Sequence, residues 1–193
     1  MANTNKVRFG LKNVYYALID SETGEYKTPV RLPGAVSLTI DAEGDTSTFY
    51  ADDIAYYVTS SNAGYSGSIE LAALSDQALI DLLGQEKDDN GFLYERADAN
   101  PASFALLYEI DGDPDKNRGV LYNVKLTRPS TEANTKEDST DPQTVSADFN
   151  AIAKTFKINN VDVDIIKGSA ESSATAAYAN FFTTVYTPTK AAA

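Results

Sequence analysis

Carboxylates are the side chains best supplied for chemistry in this 193-residue chain, with 28 Asp and Glu against 16 Lys and Arg. The densest set is Asp111, Asp113, Asp115 and Asn117 in DGDPDKNRG, an alternation that calcium loops use to aim oxygens at one ion. A complete loop of that kind has Gly at its sixth position and Glu at its twelfth; Lys116 and Tyr122 stand there. The segment therefore reads as a solvated turn between strands, and no metal is assigned. Asp52 with Asp53, and Asp88 with Asp89, could act as glycosidase carboxylates only if one of a pair were desolvated enough to keep its proton, and no apolar surrounding marks either pair. The chain has no His and no Cys. That removes the commonest general base and metal ligand and every thiolate, and it leaves Ser and Thr without a triad partner. No Gly-rich phosphate loop is present. Catalytic residues, cofactors and metals are each expected to be none, and the chain is not expected to be an enzyme. Tyr15, Tyr16, Tyr56, Tyr57 and Tyr65 could stack on sugars, although such residues more commonly half-bury in strands or anchor interfaces.

The charge is segregated. Between Leu32 and Glu86 there is no Lys or Arg, yet Asp41, Glu43, Asp45, Asp52, Asp53, Glu70, Asp76, Asp81 and Glu86 lie there. Lys6, Arg8, Lys12, Lys27 and Arg31 crowd the preceding stretch, and the formal net charge is −12. Binding nucleic acid needs cations at the phosphates, so this centre repels a polyanion rather than holding it. A basic flank beside an acidic centre permits self-association by charge complementarity. The plainer alternative is a solvated acidic face that keeps the chain soluble. No apolar stretch approaches the ~18 residues needed to span a bilayer. The opening MANTNKVRFG has no apolar h-region, so neither a membrane partner nor a secretory leader is expected.

These residues must be positioned by strands. Val36, Leu38 and Ile40 alternate with Ser37, Thr39 and Asp41. Phe104, Leu106, Tyr108 and Ile110 mark one face of a second strand. Val120, Tyr122, Val124 and Leu126 mark one face of a third, and Val145, Ala147 and Phe149 one face of a fourth. Residues 13–20 and 26–32 flank SETGE as a hairpin, with Gly24 free to take positive φ. One short helix follows Ser75 as N-cap, with Leu79, Leu82 and Leu83 as its stripe and Gly84 as its stop. A second helix is possible over 174–185, or a strand at TTVY. The pattern predicts a mainly β, antiparallel sandwich or barrel with one short flanking helix. A single domain is expected over 1–193, with flexible ends at 1–8 and 187–193 and long loops at 41–64 and 128–143.

FGLKNVYYALID, LPGAVSLTIDAEGDTSTFYADDIAYY, GYSGSIELAAL, FALLYEIDGD, GVLYNVKLTRPS and FFTTVYTP together resemble the major tail protein of long, non-contractile-tailed bacteriophages of Gram-positive bacteria. The resemblance runs from about Phe9 to Pro188, and GDTSTFYADD is its most specific piece. The 131–143 loop and the 190–193 tail depart from it or are not distinctive, so it assigns them no role. It implies a tail-tube fold whose subunits form hexameric rings. The rings stack, and the genome passes through the lumen without specific binding. It implies partners in further copies of the chain, the tape measure protein and the tail terminator, and a place in the virion tail after assembly in the host cytoplasm. One sheet of each subunit would form the inner wall.

On this basis Asp45, Thr46, Phe49, Tyr50, Asp52, Asp53, Tyr56 and Tyr57 are the candidate inter-subunit contacts. Asp41 and Glu70 are the first candidates for acids facing the lumen, with Glu109 and Asp148 after them. The alternative function is a β-sandwich module that binds carbohydrate or a receptor through surface Tyr.

Overall fold

The computed structural model describes residues 10–130 and 143–189. The expectations for residues 1–8, for 131–142 of the polar loop and for 190–193 lie outside these. Among the described residues the chain runs β1 (Leu11–Leu18), β2 (Val30–Arg31), β3 (Ala35–Glu43), β4 (Thr46–Ala51), β5 (Ile54–Ser60), β6 (Gly64–Leu71), α1 (Asp76–Leu83), β7 (Glu86–Lys87) and β8 (Leu93–Tyr94). It continues as β9 (Phe104–Ile110), β10 (Arg118–Leu126), β11 (Val145–Ala151), β12 (Lys154–Ile158), β13 (Val161–Ile165), β14 (Lys167–Ala170) and α2 (Thr175–Ala179). The fold is mainly β and antiparallel, with a short helix packed on its core, as the half-polar strand patterns predict.

The main sheet has the order β2-β1-β9-β10-β11-β6-β3. β10 splits its outer edge: Arg118–Leu121 pairs with β14, while Val124–Leu126 pairs with β11. That fork lets β11, β6 and β3 curl over until β3 returns against β1. The curl encloses a first core of Val14, Tyr16, Ile69, Leu71, Phe104, Leu106, Leu121, Val124 and Phe149, together with Ala78, Leu82 and Leu83 of α1. A second core lies on the other face of β1, β9 and β10. There Ala17, Leu107, Val120 and Tyr122 meet Phe156 and Phe181 from later in the chain. β9 therefore buries both faces, which is why FALLY reads as an unbroken apolar run.

The helix ends form as the sequence predicts. Ser75 Oγ accepts from the Ala78 N–H at 3.2 Å, and Gly84 takes φ +71 and donates back to Ile80. The β1–β2 hairpin holds too. Asp20 accepts the Glu22 and Thr23 N–H groups, and Gly24 sits at φ +70. β11 alternates strictly, with Ala147, Phe149 and Ala151 buried and Ser146, Asp148 and Asn150 out.

Three expectations are corrected. The four apolar residues of β10 do not share a face, because the register slips between Leu121 and Val124. One extra residue reverses the side-chain direction, so Val120 and Tyr122 enter the second core and Val124 and Leu126 the first. A slip between Ala35 and Ser37 likewise turns Val36 outward and gives its place to Ala35. The segment 41–64 is not a loop: β3 runs to Glu43, and β4 and β5 form a hairpin before β6. Of the two readings of 174–185, the helix holds in part, as α2 over Thr175–Ala179, while TTVY is irregular rather than a strand.

Candidate functional site

The β4–β5 hairpin is a ribbon that leaves the body of the protein. Ser61 and Ala63 donate to the Asp45 and Glu43 carbonyls at 2.9 Å, so the ribbon continues the β3–β6 pair outward. Ala51 pairs with Ile54, and the two residues between them, Asp52 and Asp53, both have positive φ (50° and 61°). This is the two-residue loop whose twist suits a hairpin, although Asn-Gly is its usual occupant. Six residues of β4 at about 3.3 Å each give a reach of roughly 20 Å.

The surface of the ribbon is what a monomer avoids. Phe49, Tyr50, Ile54, Tyr56, Tyr57 and Val58 are 56–72% exposed. Opposed residues share a face, so Phe49 with Tyr57 and Ala51 with Ile54 form one apolar side. Thr48 with Val58 and Tyr50 with Ala55 form the other, and the register slip between Phe49 and Tyr50 pushes Tyr56 outward. All eight candidate contact residues fall on this element: Asp45 and Thr46 at its root, Phe49, Tyr50, Tyr56 and Tyr57 along it, and Asp52 and Asp53 at its tip. Sequence reasoning missed Ile54 and Val58, whose signal was the β-branched type beside Tyr.

A second surface is polar. The registers of β3, β6 and β11 place Ser37, Glu70 and Ser146 in one row, Thr39, Ser68 and Asp148 in the next, and Asp41, Ser66 and Asn150 in a third. Lys125 of β10 continues the last row. Opposite these side chains, Leu38, Ile40, Ile69 and Phe149 face the first core. Asp41, Glu70 and Asp148 thus share one solvent-facing sheet surface, with Glu43 as a further acid held by the Ser66 hydroxyl. Glu70 accepts from Thr144 Oγ1 at 2.6 Å and from Ser37 Oγ at 3.0 Å, and these bonds, the Thr144 one foremost, lower its pKa.

Glu109 is not part of this surface. It lies beside the second core, paired with Arg118 at 3.1 Å and accepting from Asn13 Nδ2 at 3.2 Å. Its register in β9 puts it on the Leu107 side, away from the acidic rows.

The other candidate chemistry is placed as follows. Asp113 is buried and accepts from the Asp115 N–H and from Asn117 Nδ2, while Asp111 reaches Lys12 at 3.8 Å. These acids close a turn between β9 and β10. Among the described residues no three His, Cys, Asp or Glu side chains converge where a metal could sit. Of the Tyr residues suited to sugar stacking, Tyr16 is buried with its hydroxyl on Asp81, and Tyr15 stacks on Phe182 at 4.8 Å. Tyr56 and Tyr57 remain open, both on the ribbon. No helix of the described residues is long and apolar enough to cross a membrane. No family model matches the chain, and no curated protein matches it.

Proposed function

We propose that this chain is a structural subunit that polymerises as stacked hexameric rings into a phage tail tube, through which the genome is delivered. The observation that carries the proposal is the β4–β5 ribbon, which exposes large apolar side chains on both faces and packs on no other element among the described residues. An isolated two-stranded hairpin is marginal in water. Burying six such side chains between neighbours is worth on the order of 10 kcal/mol gross, comparable to the cost of fixing two bodies together. An element of this kind is suited to insertion between subunits, and the resemblance to tail proteins supplies the architecture.

The acidic rows on β3, β6 and β11 suit the inner wall. A passing duplex would meet carboxylates and hydroxyls with a single lysine in the three rows and their continuation. At physiological salt the repulsion fades beyond roughly 8–10 Å, so the acids act as a cushion near the wall. Electron microscopy of the purified protein tests the proposal: rings or tubes are expected. A monodisperse monomer at concentrations well above micromolar, binding a glycan array through Tyr56 and Tyr57, would favour the carbohydrate-module reading instead.

A further inference from the structure

Lys27, Lys154 and Lys157 line a cleft of about 770 Å³ together with Tyr26, Phe156 and Val185. Glu25 is the sole carboxylate in that lining, so the cleft is cationic in a chain of net charge −12. Lys12, Lys87, Arg96, Arg118 and Arg128 are each paired with an acid. Among the described residues, the three cleft lysines, like Arg31, Lys116, Lys125 and Lys167 elsewhere, have no carboxylate at ion-pair distance; what sets the three apart is that they line one cleft. Lys157 stands opposite Asp162 in the β12–β13 ladder without closing on it. Lys154 donates to the Gly24 carbonyl at 2.6 Å and lies 4.7 Å over the Tyr26 ring, half-buried. Burial lowers its pKa, which marks an ammonium that an incoming anion would stabilise.

The ribbon carries the complementary charge. Its tip is Asp52–Asp53, Asp45 lies at its root, and no cation occurs between Leu32 and Glu86. The root of the ribbon packs on the chain just before it enters the cleft. Gly64, where the ribbon rejoins the body, is packed so closely on the Ala151 carbonyl that a Cβ there would come within 2.4 Å of it, and β12 with Lys154 follows directly. A ribbon that stands off its own body by roughly 20 Å is long enough to reach the corresponding end of a copy placed beside it in the same orientation. Such a contact is heterologous, and it closes into a ring when the rotation between copies closes.

We propose that the Asp52–Asp53 turn of one copy docks in the Lys27, Lys154 and Lys157 cleft of the adjacent copy. The inference rests on the ring reading above and names the receptor site it requires. The apolar faces of the ribbon supply most of the adhesion. The ion pairs select the register and speed the encounter. The turn residues follow from this: Asp at both positive-φ positions is a poorer hairpin former than Asn-Gly but brings two charges to the tip.

The absence of Cys makes the test direct. Asp53→Cys and Lys157→Cys are introduced into one chain, the protein is assembled, oxidised and run without reductant. A ladder of linked subunits is expected. Assembled protein that yields no links, or links only within single chains, overturns the docking while leaving the ring reading intact. Wild-type protein that forms neither rings nor tubes removes the ring reading, and the docking with it. In a second arm, K27E/K157E should keep the melting temperature of the monomer but raise the concentration needed for assembly roughly tenfold, from two weak pairs lost at each contact. Combining it with D52K/D53K should restore assembly. Unchanged assembly by K27E/K157E, or no recovery in the combined variant, overturns the proposal.

Discussion

Arg118 Nε meets Glu109 Oε2 at 3.1 Å with both side chains mostly buried, at 18% and 14% exposure, and the same guanidinium lies 3.7 Å over the Tyr178 ring and 4.7 Å from that of Phe182. Its Nη1 donates to the Tyr178 carbonyl at 2.7 Å. One side chain from β10 thus fastens α2 and the segment after it onto the sheet. Those residues in turn cover the second core through Phe181.

Removing Arg118 leaves the Glu109 carboxylate half-enclosed without its cation and unstacks two rings. Arg118→Ala is expected to cost about 3 kcal/mol, near the lower end for breaking a buried pair. Arg118→Lys keeps the charge but loses the planar fork and the stacking, so about half that cost remains. Urea denaturation of the monomer checks both values. Equal stability of Arg118→Ala and wild type would show that the C-terminal segment is held by its apolar contacts alone.

Stability should also fall at alkaline pH. Burial, with a smaller contribution from Tyr186, pushes the Tyr122 phenol up from 10.0 to about 12. Burial raises Tyr26 and Tyr16 further still. A folded pKa above the unfolded one means that stability is complete below about pH 10 and is lost as pH rises through about 12. Tyr122 also donates to the Tyr186 carbonyl at 3.0 Å. Tyr122→Phe should therefore lose about 1 kcal/mol near neutral pH and show a shallower decline above pH 10. Denaturation curves across that range are the measurement, and an identical slope in the variant would refute the assignment.

Where the chain's own core decides the structure, the sequence was legible. Strict alternation in β11, the unbroken run in β9 and the Ser75 and Gly84 caps each report a local requirement that the folded monomer enforces. The faces of β10 were not legible, because a single irregularity between Leu121 and Val124 inverts the pattern without any Gly or Pro to mark it. β12 and β13 carry a hairpin signal beyond the strands expected above: Asn159–Asn160 is flanked by TFKI and VDVDI, and both Asn residues take positive φ. The sequence of the ribbon reads as a loop for a physical reason: with large apolar residues on both faces it has no period of two. Alternation records burial against one's own core, and this element has none. The acidic rows were partly legible. Asp41, Glu70 and Asp148 follow from polar strand positions, whereas Glu109 occupies a polar position that the second core and Arg118 enclose.

The ribbon gives a deletion with a clean expectation. Because Thr46 pairs with Ser60, the excision that respects the register removes both strands, replacing residues 46–60 with a short Gly-Ser turn. The residues of both cores lie outside the excised segment. The variant should unfold within about 1 kcal/mol of wild-type monomer, as surface changes generally do. It should also remain monomeric under conditions where wild type forms the proposed rings or tubes. Sedimentation and microscopy read the outcome, and tubes of normal appearance from the variant would refute the assembly role of the ribbon.

If the chain forms the proposed tube and the β3, β6 and β11 surface faces its bore, reversing the charge of that surface should create adhesion in place of repulsion. Asp41 and Asp148 are the positions to change. Asp41 pairs with Ser66 across β3 and β6, and Asp148 pairs with Ser68 across β11 and β6. Glu70 is left alone because its two hydroxyl bonds tie β3, β6 and the residue before β11 together. Asp41→Lys with Asp148→Lys shifts each subunit by four charges, repeated around a ring of the proposed kind into a cationic band. Core packing is untouched, so tubes should still form. Wild-type tubes should retain no duplex DNA. Variant tubes should retain it with an affinity that falls steeply with salt, by a slope of about 0.9 for each phosphate neutralised. DNA ejection through a tail built from the variant should slow at low salt and recover at high salt. Outward-facing acids predict a different result: the variant would bind DNA along the exterior of the tube, visible by microscopy, while ejection proceeded at the wild-type rate.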